Sequence, residues 1–95
     1  MENRIVLKFD KAATRLAGNP FGRATYEQQV KDSIHFNERN VIVFPTQIEK
    51  IASSFTQGFF EEIVKKVGYA HFRDVIQVEA GNDELVSVMY SDLLP

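Results

Sequence analysis

The sequence VIVFPTQIEKIASSFTQGFFEEIVKKVG, residues 41–68, carries the clearest structural pattern in the chain. It begins with four successive apolar residues, 41–44, of which three are β-branched. Such a run is typical of a strand that is covered on both faces in a sheet with parallel neighbours. Pro45 has no backbone N–H to donate to a ladder, so the strand is expected to end there or to lose its pairing on one side.

The second half of this stretch predicts an amphipathic helix over residues 54–67. Ser54 is followed three residues later by Gln57, as in a capping box. From Phe55 onward apolar residues recur every four positions, which places them on one face of a helix. Gly68 is the residue type that most often ends a helix. We therefore expect Ser54 to cap the helix N-terminus, with a benefit of about 0.5–2 kcal/mol.

Two features of this helix predict close contacts with other parts of the chain. Gly58 lies in its second turn, where glycine costs about 1 kcal/mol relative to alanine, and the close approach of a neighbouring backbone explains its presence. The apolar stripe is also wide, because Phe59, Phe60, Ile63 and Val64 all belong to it. A stripe wider than one sheet face leaves spare aromatic surface, so a structural or self-assembling subunit is one alternative function.

The rest of the chain continues the alternation of strands and helices. Residues 5–9 and 75–78 are short, apolar and partly β-branched, which predicts two further strands. Residues 23–35 have apolar positions every four residues and predict a helix. Asn82 is a typical cap for a last helix whose buried side ends at Leu93.

Length and composition indicate one globular domain. Ninety-five residues suffice for a single hydrophobic core, and 44% of them are apolar. We therefore predict one small α/β domain over residues 1–95, in the order β-α-β-α-β-α with a largely parallel or mixed sheet. The net charge of −2, without a run of basic residues, argues against nucleic-acid binding. The absence of cysteine and of any long apolar run favours a cytoplasmic protein with no membrane span.

Residue types for catalysis or metal binding are sparse. The two histidines, His35 and His71, are far apart in sequence and lack acidic neighbours at the spacing of a metal site. Glu61 and Glu62 are adjacent, so they point to different sides of a helix and make a poor acid–base pair. The sequence therefore predicts no metal, no cofactor and no enzymatic activity.

A small ligand-binding domain is a further alternative function. Residues 10–22 are punctuated by glycine and proline and predict a loop, with a helical turn at 12–16. In open parallel sheets ligands bind at the carboxyl ends of the strands, and this loop directly follows the strand predicted at 5–9. Arg15 and Arg23 are the residues to which such a ligand is expected to bind.

Ser53 and Ser54 are the candidate functional residues. They fall where the chain passes from a buried strand to a helix N-terminus, which offers unpaired N–H groups and the positive end of the helix dipole. Phosphorylation of a serine there adds negative charge at a position that favours it. Two compatible interpretations stay open: Ser54 is a helix cap alone, or it is a cap that also becomes phosphorylated.

The order of these elements resembles the STAS-like domain-of-unknown-function family. The resemblance covers residues 3–92. It rests on the strand at 41–45, the segment at 48–55, the glycine–aromatic helix start at 57–60 and the sequence PFGR at 20–23. It implies a distant similarity to STAS domains, the anti-sigma factor antagonists of bacterial partner switching.

The resemblance implies a function in protein binding. In STAS domains the second serine of an Asp-Ser-Ser/Thr-Gly segment is phosphorylated by a kinase of the histidine-kinase-like ATPase fold, and the unphosphorylated form binds that kinase. By position the second serine is Ser54 and the first is Ser53. Ala52 and Phe44 stand where acidic residues are expected, and Phe55 replaces the glycine. These departures favour docking over regulation by phosphate.

The leading hypothesis is a non-enzymatic regulatory module that docks a protein partner, with an ATPase-fold kinase as the expected one. The phosphoacceptor candidates are Ser54 and, after it, Ser53. The residues expected to bind the partner are Pro45, Ser53, Ser54, Phe55, Thr56 and Gln57. A homo-oligomer and a small ligand-binding domain are the alternatives.

Overall fold

The computed structural model describes residues 2–93, in which helices and strands alternate along the chain. Within that range four helices and five short strands form an α/β domain whose strands are all paired in parallel. The elements are β1 (Asn3–Val6), β2 (Arg15–Leu16), α1 (Asn19–Gln29), β3 (Asn40–Val43), β4 (Lys50–Ile51), α2 (Ser53–Val67), α3 (Tyr69–Val75), β5 (Ile76–Glu79) and α4 (Asp83–Asp92).

The main sheet has three strands in the order β1-β3-β5. Ile5, Ile42 and Val78 lie side by side across it, and all three are buried in the core formed with the helices. The smaller sheet pairs β2 with β4. As Pro45 predicts, β3 ends at Val43. The predicted α/β class with a largely parallel sheet is therefore confirmed.

The opposite face of the main sheet is open. Val6 is 59% exposed, and Arg4 forms an exposed ion pair with Glu79 across the width of the sheet at 3.1 Å. The pKa of Arg4 is raised by its hydrogen bond to Glu79 and by the charge of that carboxylate. Val41 on the central strand is fully buried yet lies outside the core cluster. Successive residues of β3 are thus buried, as the sequence predicted, and the exposed positions of this face lie on β1.

Helices α1 and α2 cross in close contact at two glycines. A Cβ on Gly58 would lie 2.2 Å from the carbonyl oxygen of Asn19, and a Cβ on Gly22 would lie 2.2 Å from that of Phe55. These distances are far below van der Waals contact, so only glycine fits at either position. The close backbone approach predicted from Gly58 is confirmed, and its partner is the first turn of α1.

The first helix begins four residues earlier than predicted and ends six residues earlier. Pro20 lies in its first turn, where the fixed φ suits a helix and a missing N–H leaves no broken bond. Pro20 and Gly22 therefore belong to α1 and do not end a loop. Ile34 lies beyond the helix, although it continues the four-residue spacing.

Other boundaries also differ from the prediction. Residues 15–16, expected in a helical turn, form β2, and the short helix α3 was not predicted. The strand predicted at 5–9 lies at 3–6, and the strand predicted at 75–78 lies at 76–79. The last helix agrees, because Asn82 accepts a hydrogen bond from the Leu85 N–H at 2.8 Å and caps α4.

The wide apolar stripe of α2 is covered inside the domain. Phe59, Phe60 and Ile63 are fully buried, and Val64 packs partly buried against the same core. Phe60 meets the ring of Phe72 edge-on at 5.2 Å, so the unpredicted helix α3 supplies the cover. The spare aromatic surface expected on α2 is therefore buried inside the domain, so this stripe gives no support to the self-assembly alternative.

The glycine crossing yields a stability prediction. Alanine at position 58 would gain about 1 kcal/mol of helix propensity in isolation, but its Cβ collides with the α1 backbone. We expect Gly58→Ala to lower the free energy of unfolding by about 1–3 kcal/mol, measured by urea denaturation. The matched control is Gln57→Ala, one residue away and exposed, which should change stability by less than about 0.5 kcal/mol. Equal stability of the two variants would contradict the crossing.

Candidate functional site

The start of α2 forms an exposed corner of the domain. Ala52, Ser53 and Ser54 are all exposed, and Gln57 continues the same surface one turn later. Phe55 is fully buried and lies 6.4 Å from the rings of both Phe9 and Phe44. Since those two residues follow β1 and β3, the first turn of α2 sits over the carboxyl ends of these strands.

The structure corrects the predicted cap. Ala52 is the N-cap residue of α2, no side chain caps the helix, and Ser54 is already its second residue. Ser54 Oγ instead accepts a hydrogen bond at 3.0 Å from the N–H of Gly18, a residue with φ of 98° directly before α1. Ser54 therefore joins the starts of the two crossing helices, and the capping box with Gln57 is not formed.

The N-terminus of α2 carries no compensating negative group. Its first turn contains no acidic residue and its cap offers no side-chain oxygen. At α4, by contrast, Asn82 caps the helix and Asp83 and Glu84 stand in the first turn. Unpaired N–H groups and the helix dipole favour negative charge at such an end. The exposed start of α2 is thus complementary to an acidic group from outside.

The residues predicted to contact a partner divide into two groups. Ser53, Ser54 and Gln57 are exposed and adjoin one another on the first turn and a half of α2. Phe55 and Thr56 are fully buried and so cannot contact a partner. The Thr56 hydroxyl donates a hydrogen bond to the Ala52 carbonyl at 3.4 Å. A sixth residue, Pro45, is half-buried in the turn after β3.

A shallow groove runs between β4 and α4. Its volume is about 570 Å³. Arg15 and Lys50 are neighbours in the β2–β4 ladder and line it together with Glu49 and Glu84. The charges are mixed, so the groove does not select a ligand of one sign. Arg23, the second arginine considered from the sequence, forms an ion pair with Glu61 elsewhere.

The remaining polar groups serve structural contacts. His35 pairs with Glu38 and His71 with Asp74, each three residues on along the chain, and both histidines are exposed. Among residues 2–93 no cluster of three or more histidine or acidic side chains could hold a metal ion. In the same range none of the helices has the length and apolar character needed to cross a membrane.

One buried group has a shifted pKa. Burial raises the pKa of the Tyr26 phenol, and the charge of Glu62 raises it further. The ring meets Phe59 edge-on, with centroids 6.3 Å apart. A phenol held in its protonated form between two helices acts as a packing residue.

No family model matches the chain, and comparisons with curated proteins and with solved structures find no significant similarity. Evidence on function therefore comes from the chain's own residues. Among them the start of α2 is the place where exposure, hydroxyl groups and an uncompensated helix end coincide.

The two serines should respond differently to truncation. Ser54→Ala removes the acceptor for the Gly18 N–H, and we expect a loss of about 0.5–1.5 kcal/mol in the free energy of unfolding. Ser53→Ala has no such bond to lose, because Ser53 makes no side-chain hydrogen bond within the described chain, and should be neutral within about 0.5 kcal/mol. Thermal and urea denaturation of both variants measure the difference. Equal losses would show that the bond to Gly18 contributes nothing.

Proposed function

We propose that this protein is a non-enzymatic regulatory module that docks a protein partner through the exposed start of α2. The observation that carries the proposal is the exposure of Ser53 and Ser54 on an uncapped helix N-terminus. The sequence resemblance to STAS-like domains supports the same surface, because Ser53 and Ser54 correspond by position to the serine pair of STAS domains. A kinase of the histidine-kinase-like ATPase fold is the partner we propose, in the cytoplasm.

The docking surface is preformed. The α1–α2 crossing at Gly22 and Gly58 fixes the helix that carries it, and buried Phe55 anchors its first turn in the aromatic core. A surface on a rigid element loses little conformational entropy when a partner binds. Ser53 and Gln57, four residues apart, present one face of this helix.

Charge favours a partner with an acidic group. The first turn of α2 lacks a carboxylate of its own, so an acidic side chain of the partner can accept hydrogen bonds from its free N–H groups. Such bonds to a charged acceptor are stronger than neutral ones. This predicts that added negative charge on the docking surface weakens binding.

Phosphorylation of Ser54 is the regulatory part of the proposal. A phosphate there brings a charge of roughly −1.5 to −2 to the helix end and to the N–H of Gly18. It would occupy the helix end that we assign to the partner's acidic group, so it would compete with docking. Ser53, which is also exposed, is the second candidate for the modification.

The docking surface can be tested by affinity capture from the native host. The variant Ser53→Glu/Gln57→Glu adds two carboxylates on one face of α2, where they repel the partner's acidic group, without breaking an internal bond. We expect the wild-type protein to retain an ATPase-fold protein, identified by mass spectrometry, and this variant to retain at least about tenfold less.

The matched control is Ser87→Glu/Ser91→Glu. It places two carboxylates at the same four-residue spacing on exposed positions of α4, and it should capture as much of the partner as the wild type. Circular dichroism confirms that both variants are folded. Capture that is equal for both variants, or that contains no ATPase-fold protein from folded bait, contradicts the proposed function.

Phosphorylation is tested with the captured kinase and ATP. Intact-mass spectrometry should show one added phosphate on the wild type and on Ser53→Ala, and none on Ser54→Ala. The phosphorylated protein should then bind the kinase more weakly than the unmodified one. A phosphate that persists on Ser54→Ala and is lost from Ser53→Ala would show that Ser53 is the modified residue. If neither the wild type nor any variant is phosphorylated, regulation by phosphorylation is contradicted and the docking proposal is unaffected.

A further inference from the structure

Two uncharged segments of the chain meet where α1 and α2 begin. Residues 16–22 and 51–60 contain no charged side chain, although 25% of the chain is charged. The Ala52 N–H donates to the Leu16 carbonyl at 2.8 Å, and the Gly18 N–H donates to Ser54 Oγ at 3.0 Å. These bonds hold the two segments side by side. Their exposed residues form one surface, here called the neutral surface, which adds Ala17, Pro20, Phe21 and Ala52 to the docking residues of α2.

Phe21 is the exposed aromatic residue of the neutral surface. Of the chain's eight phenylalanines, all of which the structure describes, only Phe21 is exposed, and the exposed fraction of this residue is 45%. Its ring meets the rings of Phe55 and Phe9 edge-on, at 5.4 and 6.1 Å. Its Cβ lies 4.0 Å from the position that a Cβ on Gly18 would take, which places it beside the bond to Ser54. The ring is therefore held by the aromatic core while much of it faces solvent.

Charged residues border the neutral surface. Arg23 and Glu61 directly follow the two uncharged segments and form an ion pair between α1 and α2. Arg15 and Lys50 directly precede the same segments and are neighbours in the β2–β4 ladder. An uncharged centre with an aromatic residue, enclosed by a polar rim, is the arrangement typical of protein–protein interfaces. A few aromatic residues near the centre commonly contribute most of the binding energy.

We propose that Phe21 is the anchor residue of the docking surface, and that its ring enters an apolar pocket of the partner that has an acidic side chain at its edge. This inference rests on the proposed function and adds to it the chemistry of the partner's surface. It also extends the contact from α2 to the first turn of α1. The partner remains the ATPase-fold kinase.

Each part of the partner's surface follows from a feature of this chain. An aromatic ring that is still partly exposed gains free energy when an apolar pocket removes it from water. The acidic side chain accepts hydrogen bonds from the start of α2, whose first turn has no acidic residue of its own. Further charges in the pocket would lose their hydration against the neutral surface without gaining an ion pair. The rest of the pocket is therefore expected to be uncharged.

The test uses the purified kinase that the wild type captures, and isothermal titration calorimetry measures its Kd. Phe21→Ala should raise Kd at least about thirtyfold, and Phe21→Leu, which keeps a smaller apolar side chain, about three- to tenfold. The matched control is Tyr69→Ala. It truncates another exposed aromatic residue, 50% exposed and beyond the opposite end of α2, and should leave Kd within about twofold of the wild type. Circular dichroism confirms that each variant is folded.

A second pair of variants leaves the packing of the Phe21 ring intact. Ala17→Glu places a carboxylate at an exposed position of the neutral surface. It should raise Kd about tenfold, because the carboxylate loses hydration and repels the partner's acidic side chain. Its matched control is Ala70→Glu, at an exposed position of α3, which should leave Kd unchanged.

The outcomes separate this inference from the proposed function. If Phe21→Ala or Ala17→Glu binds the kinase as tightly as the wild type, while Ser53→Glu/Gln57→Glu binds it weakly, the anchor is contradicted and docking at α2 stands. Equal losses in Phe21→Ala and Tyr69→Ala also contradict the anchor. A folded wild type that captures no ATPase-fold kinase contradicts the proposed function, and this inference with it.

Discussion

The crossing of α1 and α2 at Gly22 and Gly58 determines how closely the two helices pack and where the start of α2 lies. Each glycine has the backbone of the other helix at a distance where a Cβ would overlap a carbonyl oxygen. The helices therefore lie closer than side chains would permit, with their first turns side by side. That proximity lets Ser54 reach the Gly18 N–H. The geometry of the candidate site thus follows from the helix crossing.

The sequence predicted α2 well because its signal is local. Apolar residues every four positions and the terminal Gly68 belong to the helix itself, and its end at Val67 is confirmed. The start of α1 could not be predicted in this way. Pro20 and Gly22 have the composition of a loop, and only the neighbouring helix shows why a glycine is needed there.

Sequence patterns do not show where very short strands form or which residue caps α2, because the free-energy differences that decide these features are small. A strand of two residues, such as β2 or β4, is too short to show alternation. The helix start at Ser53 differs from the prediction by one residue, yet that shift turns Ser54 from a cap into a bond to Gly18. The exposure of Ser53 and Ser54 was anticipated by the docking hypothesis. The burial of Phe55 and Thr56 was not anticipated. An apolar stripe on a helix does not show which residues at its borders are also covered by the rest of the fold.

The one-sided sheet separates the start of α2 from the uncovered face of the sheet. Helices cover the face that carries Ile5, Ile42 and Val78, so the carboxyl end of the sheet and its β1 edge are presented in different directions. The start of α2 stands over the carboxyl ends of β1 and β3, whereas Val6 lies at the side of β1. A partner that docks at the start of α2 would therefore leave the open face of the sheet, with Arg4 and Val6, uncovered.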